Sequence, residues 1–263
     1  MPVKIPAHSP WTNQRLVIGA LLHREAITRF GQYKMGALWF ITEPLVGVIV
    51  IGLLLGPIIG RTAPDMPYAF FVLNGLTLLQ CFTGPMMSGM GAITSNLGLL
   101  VFPKVQPLDL LLARFLFDLT TSLFSFTLFC LVGMWFGVQL SLGFLHILLA
   151  TFLITWLLGS GLGMIMSVAS SEFPSVEKAI AFLRRPLIFV SCVLHPLVTV
   201  PNYAQKILLF NPLVHTIELS RKSLFPLYHV AGVNLLYPTS IAVVVFAFGI
   251  CLFHNHRHLL SQK

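Results

Sequence analysis

Charged residues are scarce in this sequence. Asp, Glu, Lys and Arg account for 9% of the 263 residues, whereas hydrophobic residues account for 56% and the mean hydropathy is +0.88. A soluble globular domain carries about 25% charged residues, so a water-soluble enzyme or binding module is excluded. The composition predicts an all-α integral membrane protein, because its apolar runs have the length of membrane-spanning helices.

Motifs for soluble-enzyme chemistry are also missing. The segment 56–62, GPIIGRT, resembles a phosphate-binding loop only loosely, because its spacing is wrong and Arg stands in place of Lys. Any ATP chemistry is therefore expected on a separate polypeptide, and we expect no catalytic residue, bound cofactor or metal in this chain. The cysteines fall inside apolar runs without paired spacing and are interpreted as core residues: Cys81, Cys130, Cys192 and Cys251.

One pair of polar residues has a spacing that chemistry could use. His215 and Glu218 are three residues apart and could share a metal or relay a proton, but no third ligand lies nearby in the sequence. We interpret them as an ordinary helix-face pair. A membrane enzyme acting on lipid-linked sugars stays as a weaker alternative.

Six apolar segments are long enough to cross a bilayer, which needs about 20 residues. They cover residues 37–59, 68–91, 111–137, 142–169, 179–198 and 232–253. The chain then divides into a cytoplasmic N-terminal segment, 1–36, a transmembrane domain, 37–253, and a cytoplasmic tail, 254–263. Twelve of the sixteen Lys and Arg residues fall on the side of the two termini, so the positive-inside rule predicts that both termini are cytoplasmic.

The basic N-terminal segment contains a helical pattern. Ser9 followed by Pro10 is typical of a helix start. Five apolar residues then share one face: Leu16, Val17, Ala20, Leu21 and Ile27. We predict an amphipathic helix that lies flat on the inner leaflet.

The segment 198–232 is too polar and too rich in proline to be one spanning helix, yet too apolar to be a solvated loop. We predict two short re-entrant helices between spans five and six. Asn211 with Pro212 forms an N-cap followed by proline at the first helical position, and Pro201 is expected to open the earlier helix. The spacing of Glu218 and Lys222 predicts an i,i+4 ion pair.

Other polar and small residues fall at particular positions in the predicted spans. Gly159 and Gly163 predict close helix packing in span four. Arg114 and Asp118 are expected to form an i,i+4 pair in span three. In the connection before span three, the apolar residues 99–102 indicate either a surface that docks a partner or a segment lying in the membrane interface, and the residues alone leave both open.

Three phrases carry a resemblance to a known family. They are RFGQYKMGALWFITEP at 29–44, FPKVQPLDLLLAR at 102–114 and NPLVHTIELSRKSLFPLY at 211–228. They resemble the permease of ABC-2 type exporters, and more narrowly the permease that exports group 2 capsular polysaccharide in Gram-negative bacteria. Relatives that export O-antigen, teichoic acid or a drug are the alternative.

The resemblance implies a multi-pass protein of the bacterial inner membrane. Two copies would pair with two ATPase subunits that hold ATP and Mg, and would move a lipid-linked polysaccharide to a periplasmic adaptor and an outer-membrane channel. A coupling helix between spans two and three would contact the ATPase. The residues expected in this contact are Asn96, Leu99, Leu100, Phe102, Pro103, Lys104 and Pro107.

Aromatic side chains are expected to line the path of the sugar, because sugar rings have apolar faces that slide along them. Two adjacent arginines in span five point about 100° apart, so we expect one of them to meet an anionic substrate or a partner. The predicted path residues are Trp39, Phe70, Phe71, Phe182, Arg184, Arg185, Tyr203 and Tyr228.

Overall fold

The computed structural model describes residues 10–31, 66–99, 105–173, 175–230 and 232–261. Within these residues the chain forms α-helices and short 3₁₀ segments and no strand. The α-helices are α1 (Pro10–Gly31), α2 (Tyr68–Met90), α3 (Pro107–Trp135), α4 (Leu145–Glu172), α5 (Ser175–Val190), α6 (Asn202–Leu208), α7 (Pro212–Leu224) and α8 (Leu236–Ser261).

Four of these helices are long and apolar enough to cross a membrane. They are α2, α3, α4 and the part of α8 from Leu236 to His256, which correspond to the predicted spans 68–91, 111–137, 142–169 and 232–253. The predicted span 37–59 lies outside the described residues. Helix α8 continues without a break to Ser261 and so includes most of the predicted tail.

The predicted span 179–198 is wrong in its bounds. Helix α5 begins earlier, at Ser175, and ends at Val190. Its 16 residues rise about 24 Å, which is less than the hydrocarbon thickness of about 30 Å. The helix ends there because the backbone turns at Cys192, which has a positive φ of 54°, and the carbonyls of Cys192 and Val193 turn toward Arg221.

Helices α2, α4 and α8 form the centre of the fold. Gly163 of α4 lies so close to α2 that a Cβ atom built on it would be 2.5 Å from the carbonyl oxygen of Pro85. A Cβ atom on Gly249 of α8 would lie 2.6 Å from the carbonyl oxygen of Gly161 in α4. The prediction that the glycines of span four permit close packing is confirmed.

The two short helices in segment 198–232 are present. Helix α7 packs against α2, α4 and α8, with Leu213, Ile217 and Leu224 buried. The predicted cap is confirmed, since the backbone N–H of Leu213 donates to Oδ1 of Asn211 at 3.0 Å. In the earlier helix, Pro201 stands at the N-cap position, one residue before α6 begins.

Helix α1 is present, and its position flat on the inner leaflet stays a prediction. Leu21 packs against Leu110 and Ala113 of α3, whereas Leu16 and Ile27 of the predicted apolar face are exposed. Charged residues of α1 instead turn toward the protein. Helix α1 is therefore held on the body of the molecule by ion pairs as well as by apolar packing.

Candidate functional site

The connection between α2 and α3 begins with a short 3₁₀ segment, Thr94–Leu99. It was predicted as a helical coupling element, and the described part differs from a regular helix because Asn96 has non-helical angles, with φ −130° and ψ 20°. The side chain of Asn96 is buried, and its Nδ2 donates to the carbonyl oxygen of Ala92 at 2.7 Å. The described part of the connection, up to Leu99, is thus a turn that Asn96 bonds to Ala92 near the end of α2.

Arginines from two other helices hold this turn. Arg24 of α1 donates through Nη2 to Oδ1 of Asn96. Arg114 of α3 donates through Nη2 to Oγ of Ser95 at 2.8 Å and through Nη1 to the carbonyl oxygen of Ser88 at 3.2 Å. The turn is therefore joined to both α1 and α3 by hydrogen bonds to charged groups, which are the stronger class.

A cluster of ion pairs and one serine hydroxyl lies beside this turn. We call it the Arg29–Asp118 cluster, and it consists of Glu25, Arg29, Ser88, Arg114 and Asp118. Arg29 of α1 lies 2.7 Å from Oδ1 of Asp118 and 2.9 Å from Oε1 of Glu25. Arg114 lies 3.5 Å from Glu25, and Ser88 donates to the second oxygen of Asp118 at 2.7 Å. The cluster joins α1 to α3 through ion pairs, and the hydroxyl of Ser88 joins α2 to them.

Arg29 stays charged in this setting. Burial lowers the pKa of Arg29, but the negative charges of Asp118 and Glu25 outweigh burial and raise the pKa above its ordinary value. Its guanidinium also lies 5.0 Å from the centre of the Phe117 ring. These contacts make the prediction that Arg114 pairs with Asp118 wrong, because the partner of Asp118 comes from α1 and the partner of Arg114 is Glu25.

The predicted coupling residues fall into two groups. Asn96 is buried in the turn, Leu99 is half-buried against Leu21 and Leu110, and Pro107 is the first residue of α3. The remaining ones lie outside the described residues: Leu100, Phe102, Pro103 and Lys104. Contact of either group with an ATPase stays a prediction.

A buried polar cluster lies at the other end of α2. Arg221 of α7 is fully buried and pairs with Glu218 at 2.9 Å. Its guanidinium lies 3.4 Å from the centre of the Phe71 ring. It also donates to backbone carbonyls of Phe71, Cys192 and Val193, so one side chain ties α7 to α2 and to the turn after α5.

The predicted Glu218–Lys222 pair is therefore wrong. Glu218 instead accepts hydrogen bonds from Arg221 and, at 3.0 Å, from the hydroxyl of Tyr228. The hydroxyl of Tyr228 is the donor in this bond, because the carboxylate oxygen accepts. Lys222 lies on the exposed face of α7.

Both ring nitrogens of His215 form hydrogen bonds with the backbone. Its Nδ1 accepts the backbone N–H of Asn234 at 3.0 Å, and its Nε2 lies 2.9 Å from the carbonyl oxygen of Leu209. Because a carbonyl only accepts, Nε2 is the donor to Leu209 while Nδ1 accepts. His215 therefore fastens α7 to the segments on either side of it, which supports its interpretation as a helix-face residue.

The predicted path residues do not form one surface within a single chain. Phe71 and Tyr228 are buried beside Arg221, whereas Phe182 and Tyr203 are exposed. Phe70 is half-buried and meets Phe225 edge-on, at 6.3 Å between ring centres. Arg184 and Arg185 are both exposed, Arg184 also lines a cavity, and Trp39 lies outside the described residues. Their role in a path stays a prediction.

Three residues of the Arg29–Asp118 cluster were not predicted as site residues from the sequence: Glu25, Arg29 and Ser88. Glu25 and Arg29 are spaced i,i+4 on α1, which is a usable signal for an ion pair. The partner Asp118 is 89 residues away from Arg29, and no local spacing could identify it.

Comparisons with known proteins agree with one another. The family model for the ABC-2 type transporter matches residues 17–225. The polysialic acid transport protein KpsM of Escherichia coli is 33% identical over 97% of this chain and 98% of its own length. The capsule polysaccharide export inner-membrane protein CtrC of Neisseria meningitidis serogroup B is 29% identical over 91% of this chain and 90% of its own length. The capsule polysaccharide export inner-membrane protein BexB of Haemophilus influenzae is 28% identical over 81% of this chain and 80% of its own length.

Proposed function

The chain belongs to the ABC-2 type transporter family, and on this basis we propose that it is the membrane permease of an ATP-driven exporter of capsular polysaccharide. The observation that carries the proposal is the similarity to KpsM, which covers 97% of this chain. CtrC and BexB are also named for capsule polysaccharide export. The relatives are transport components, so we assign transport and not catalysis to this chain.

The proposed architecture has six spans with both termini in the cytoplasm. The described helices α2, α3, α4 and α8 supply four spans; residues 37–59 supply the first, and α5 with the turn after it supplies the fifth. Helices α6 and α7 then re-enter the outer face of the inner membrane. Backbone that ends and restarts at membrane depth persists where protein surrounds it, and the burial of Glu218 and Arg221 fits that rule.

Coupling to ATP hydrolysis is proposed at the turn 94–99 and the residues that follow it up to Pro107. Two ATPase subunits would bind ATP and Mg and push on this turn in each of two permease copies. The hydrogen bonds from Arg24 to Asn96 and from Arg114 to Ser95 support this role, because they pass a movement of the turn to α1 and α3. The pushed turn would thus move three helices together.

The polymer path is proposed to lie between the two copies. Helix α5 has no buried residue within the described chain, and Phe182, Leu183 and Phe189 are exposed along it. A helix of this kind is available to face a second copy and to move when the copies separate. The lipid-linked polysaccharide would then pass to a periplasmic adaptor and an outer-membrane channel.

Purification tests this function. The tagged permease is extracted in mild detergent from its native host, and ATP hydrolysis is measured with and without added lipid-linked polysaccharide. Co-elution of a separate ATPase, with hydrolysis that responds to the polysaccharide, is expected. A permease that elutes without an ATPase and works without ATP would overturn the proposal.

Two other functions differ in what they predict. A relative that exports another glycan or a drug would give the same ATPase but no response to capsular polysaccharide. A membrane enzyme acting on lipid-linked sugars would need reactive groups at one depth, whereas His215 is bonded on both ring nitrogens. The names of the relatives favour capsule export over both.

A further inference from the structure

A polar cavity of about 250 Å³ lies between α1, α2, α3 and α5. Its walls include Arg29 and Asp118 of the Arg29–Asp118 cluster, Gln80 and Thr83 of α2, Ser122 of α3 and Arg184 of α5. Helices α2 and α3 are otherwise apolar, since both qualify as membrane spans. Polar groups gathered between such helices indicate a site for a ligand or an ion, because they are costly against lipid.

The charges around this cavity leave one cation unmatched. Of the charged residues that line it, Arg29 and Asp118 form an ion pair at 2.7 Å. Arg184, which also lines the cavity and is exposed, has no carboxylate partner among the described residues. The described residues that line the cavity therefore sum to a charge of +1, which suits a ligand with one negative charge.

Hydrogen-bond donors are available on two sides of the cavity. Within the described residues, the carboxamide of Gln80 and the guanidinium of Arg184 have no hydrogen-bond partner. The hydroxyls of Thr83 and Ser122 donate to carbonyls of their own helices, at 2.9 Å to Leu79 and 2.8 Å to Asp118. An anion between α2 and α5 would thus receive donors from both helices.

The size and surroundings of the cavity favour one class of anion. Pockets for drug-sized ligands are about 300–1,000 Å³, so this cavity is suited to a single head group and is too small for a run of sugars. Phe182 and Leu183, next to Arg184 on α5, are exposed apolar residues. Acyl chains can lie along such residues while the head group reaches the arginine.

We propose that this cavity binds the phosphate group of a lipid, held between Arg184 of α5 and Gln80 of α2. A phosphodiester carries one negative charge and accepts several hydrogen bonds at once, and guanidinium groups suit it in charge and shape. The lipid is either the anchor of the exported polymer or a phospholipid of the bilayer. Only the identity of the physiological ligand rests on the proposed function.

The test compares adjacent arginines. The permease, with any subunit that co-purifies, is placed in phosphatidylcholine nanodiscs, and retention of added phosphatidylglycerol is titrated by native mass spectrometry. Arg184→Gln and Gln80→Leu are expected to weaken retention about tenfold, which is 1.4 kcal/mol. Arg185→Gln removes the same charge from a residue that does not line the cavity and should retain the lipid like the unchanged protein.

Equal retention in Arg184→Gln and Arg185→Gln would overturn the site, whatever the outcome of the ATPase measurement. Loss of retention in Arg184→Gln alone would support the site even if no ATPase co-eluted. Purification from cells with and without the polymer identifies the ligand. Lipid-linked polymer released by Arg184→Gln would support the anchor, and phospholipid released in both cell types would support a resident lipid.

Discussion

Nη1 of Arg29 lies 2.7 Å from Oδ1 of Asp118, across 89 residues of sequence. The two atoms join the helix that precedes the transmembrane domain to the interior of α3. Arg29 also contacts Glu25, so its charge has two partners, whereas within the described chain Asp118 has one cation and the hydroxyl of Ser88. This asymmetry determines which substitution should be the more damaging.

We expect Arg29→Gln to destabilise the protein more than Asp118→Asn does. Arg29→Gln leaves the carboxylate of Asp118 buried without a cation, and removal of one partner of a buried pair costs about 3–5 kcal/mol. Asp118→Asn leaves Arg29 with Glu25 and should cost about half as much. Thermal unfolding in detergent measures both, and the double variant should lose less than the two single losses combined. Additive losses would contradict the pairing.

Replacement of Arg221 should destabilise the fold strongly. Arg221→Lys keeps the charge but cannot reach Glu218 and the carbonyls of Phe71, Cys192 and Val193 at once, because an ammonium lacks the planar fork. We expect a loss of about 3 kcal/mol, measured as thermal stability in detergent. Lys222→Met, on the exposed face of the same helix, is the control and should change stability little. Similar melting of both variants would show that the Arg221 contacts carry no stability.

Because α4 lies close to α2, we expect alanine to destabilise the protein at Gly163 but to stabilise it at Gly19. Gly163→Ala puts a Cβ atom 2.5 Å from the carbonyl oxygen of Pro85, and overpacking of this kind costs about 1–3 kcal/mol. Gly19→Ala on α1 meets no atom within 4 Å and should stabilise its helix by about 1 kcal/mol. Unchanged stability of Gly163→Ala would mean that α2 and α4 do not approach each other this closely.

The orientation of the helices can be tested by labelling. In a background without the native cysteines, Gly98→Cys lies on the exposed turn after α2, and Gly143→Cys lies on the exposed turn before α4. With both termini in the cytoplasm, a membrane-impermeant maleimide should label Gly143→Cys in intact spheroplasts and Gly98→Cys only after permeabilisation. The reverse pattern would contradict the proposed orientation.

Local features of the fold could be predicted from the sequence because their causes are local. Asn211 caps α7 through an N–H two residues away, and Gly163 marks a close approach by its lack of a side chain. The ion-pair partner of Glu218 could not be identified from the sequence, because Arg221 at i+3 and Lys222 at i+4 are both within reach on a helix. Burial of that face of α7 selects Arg221.

The Arg29–Asp118 cluster depends on which helices meet, and local spacing does not contain that information. Spacing within α3 favoured Arg114 as the partner of Asp118, but the docking of α1 brings Arg29 there instead. The end of α5 at Val190 was missed for a similar reason, because the turn at Cys192 is held by Arg221, which is 29 residues away.

The assignment as a capsule exporter can be tested by measuring the export of polymer. In a strain whose own copy is deleted, surface polysaccharide is measured after supply of the unchanged protein, Gly98→Trp or Gly143→Trp. Both glycines are exposed, and an added Cβ has no neighbour closer than 3.8 Å at either position. We predict that deletion abolishes surface polymer, and that the unchanged protein and Gly143→Trp restore it. Gly98→Trp should block the coupling turn and leave polymer inside the cell. Normal surface polymer in the deletion strain would contradict the account.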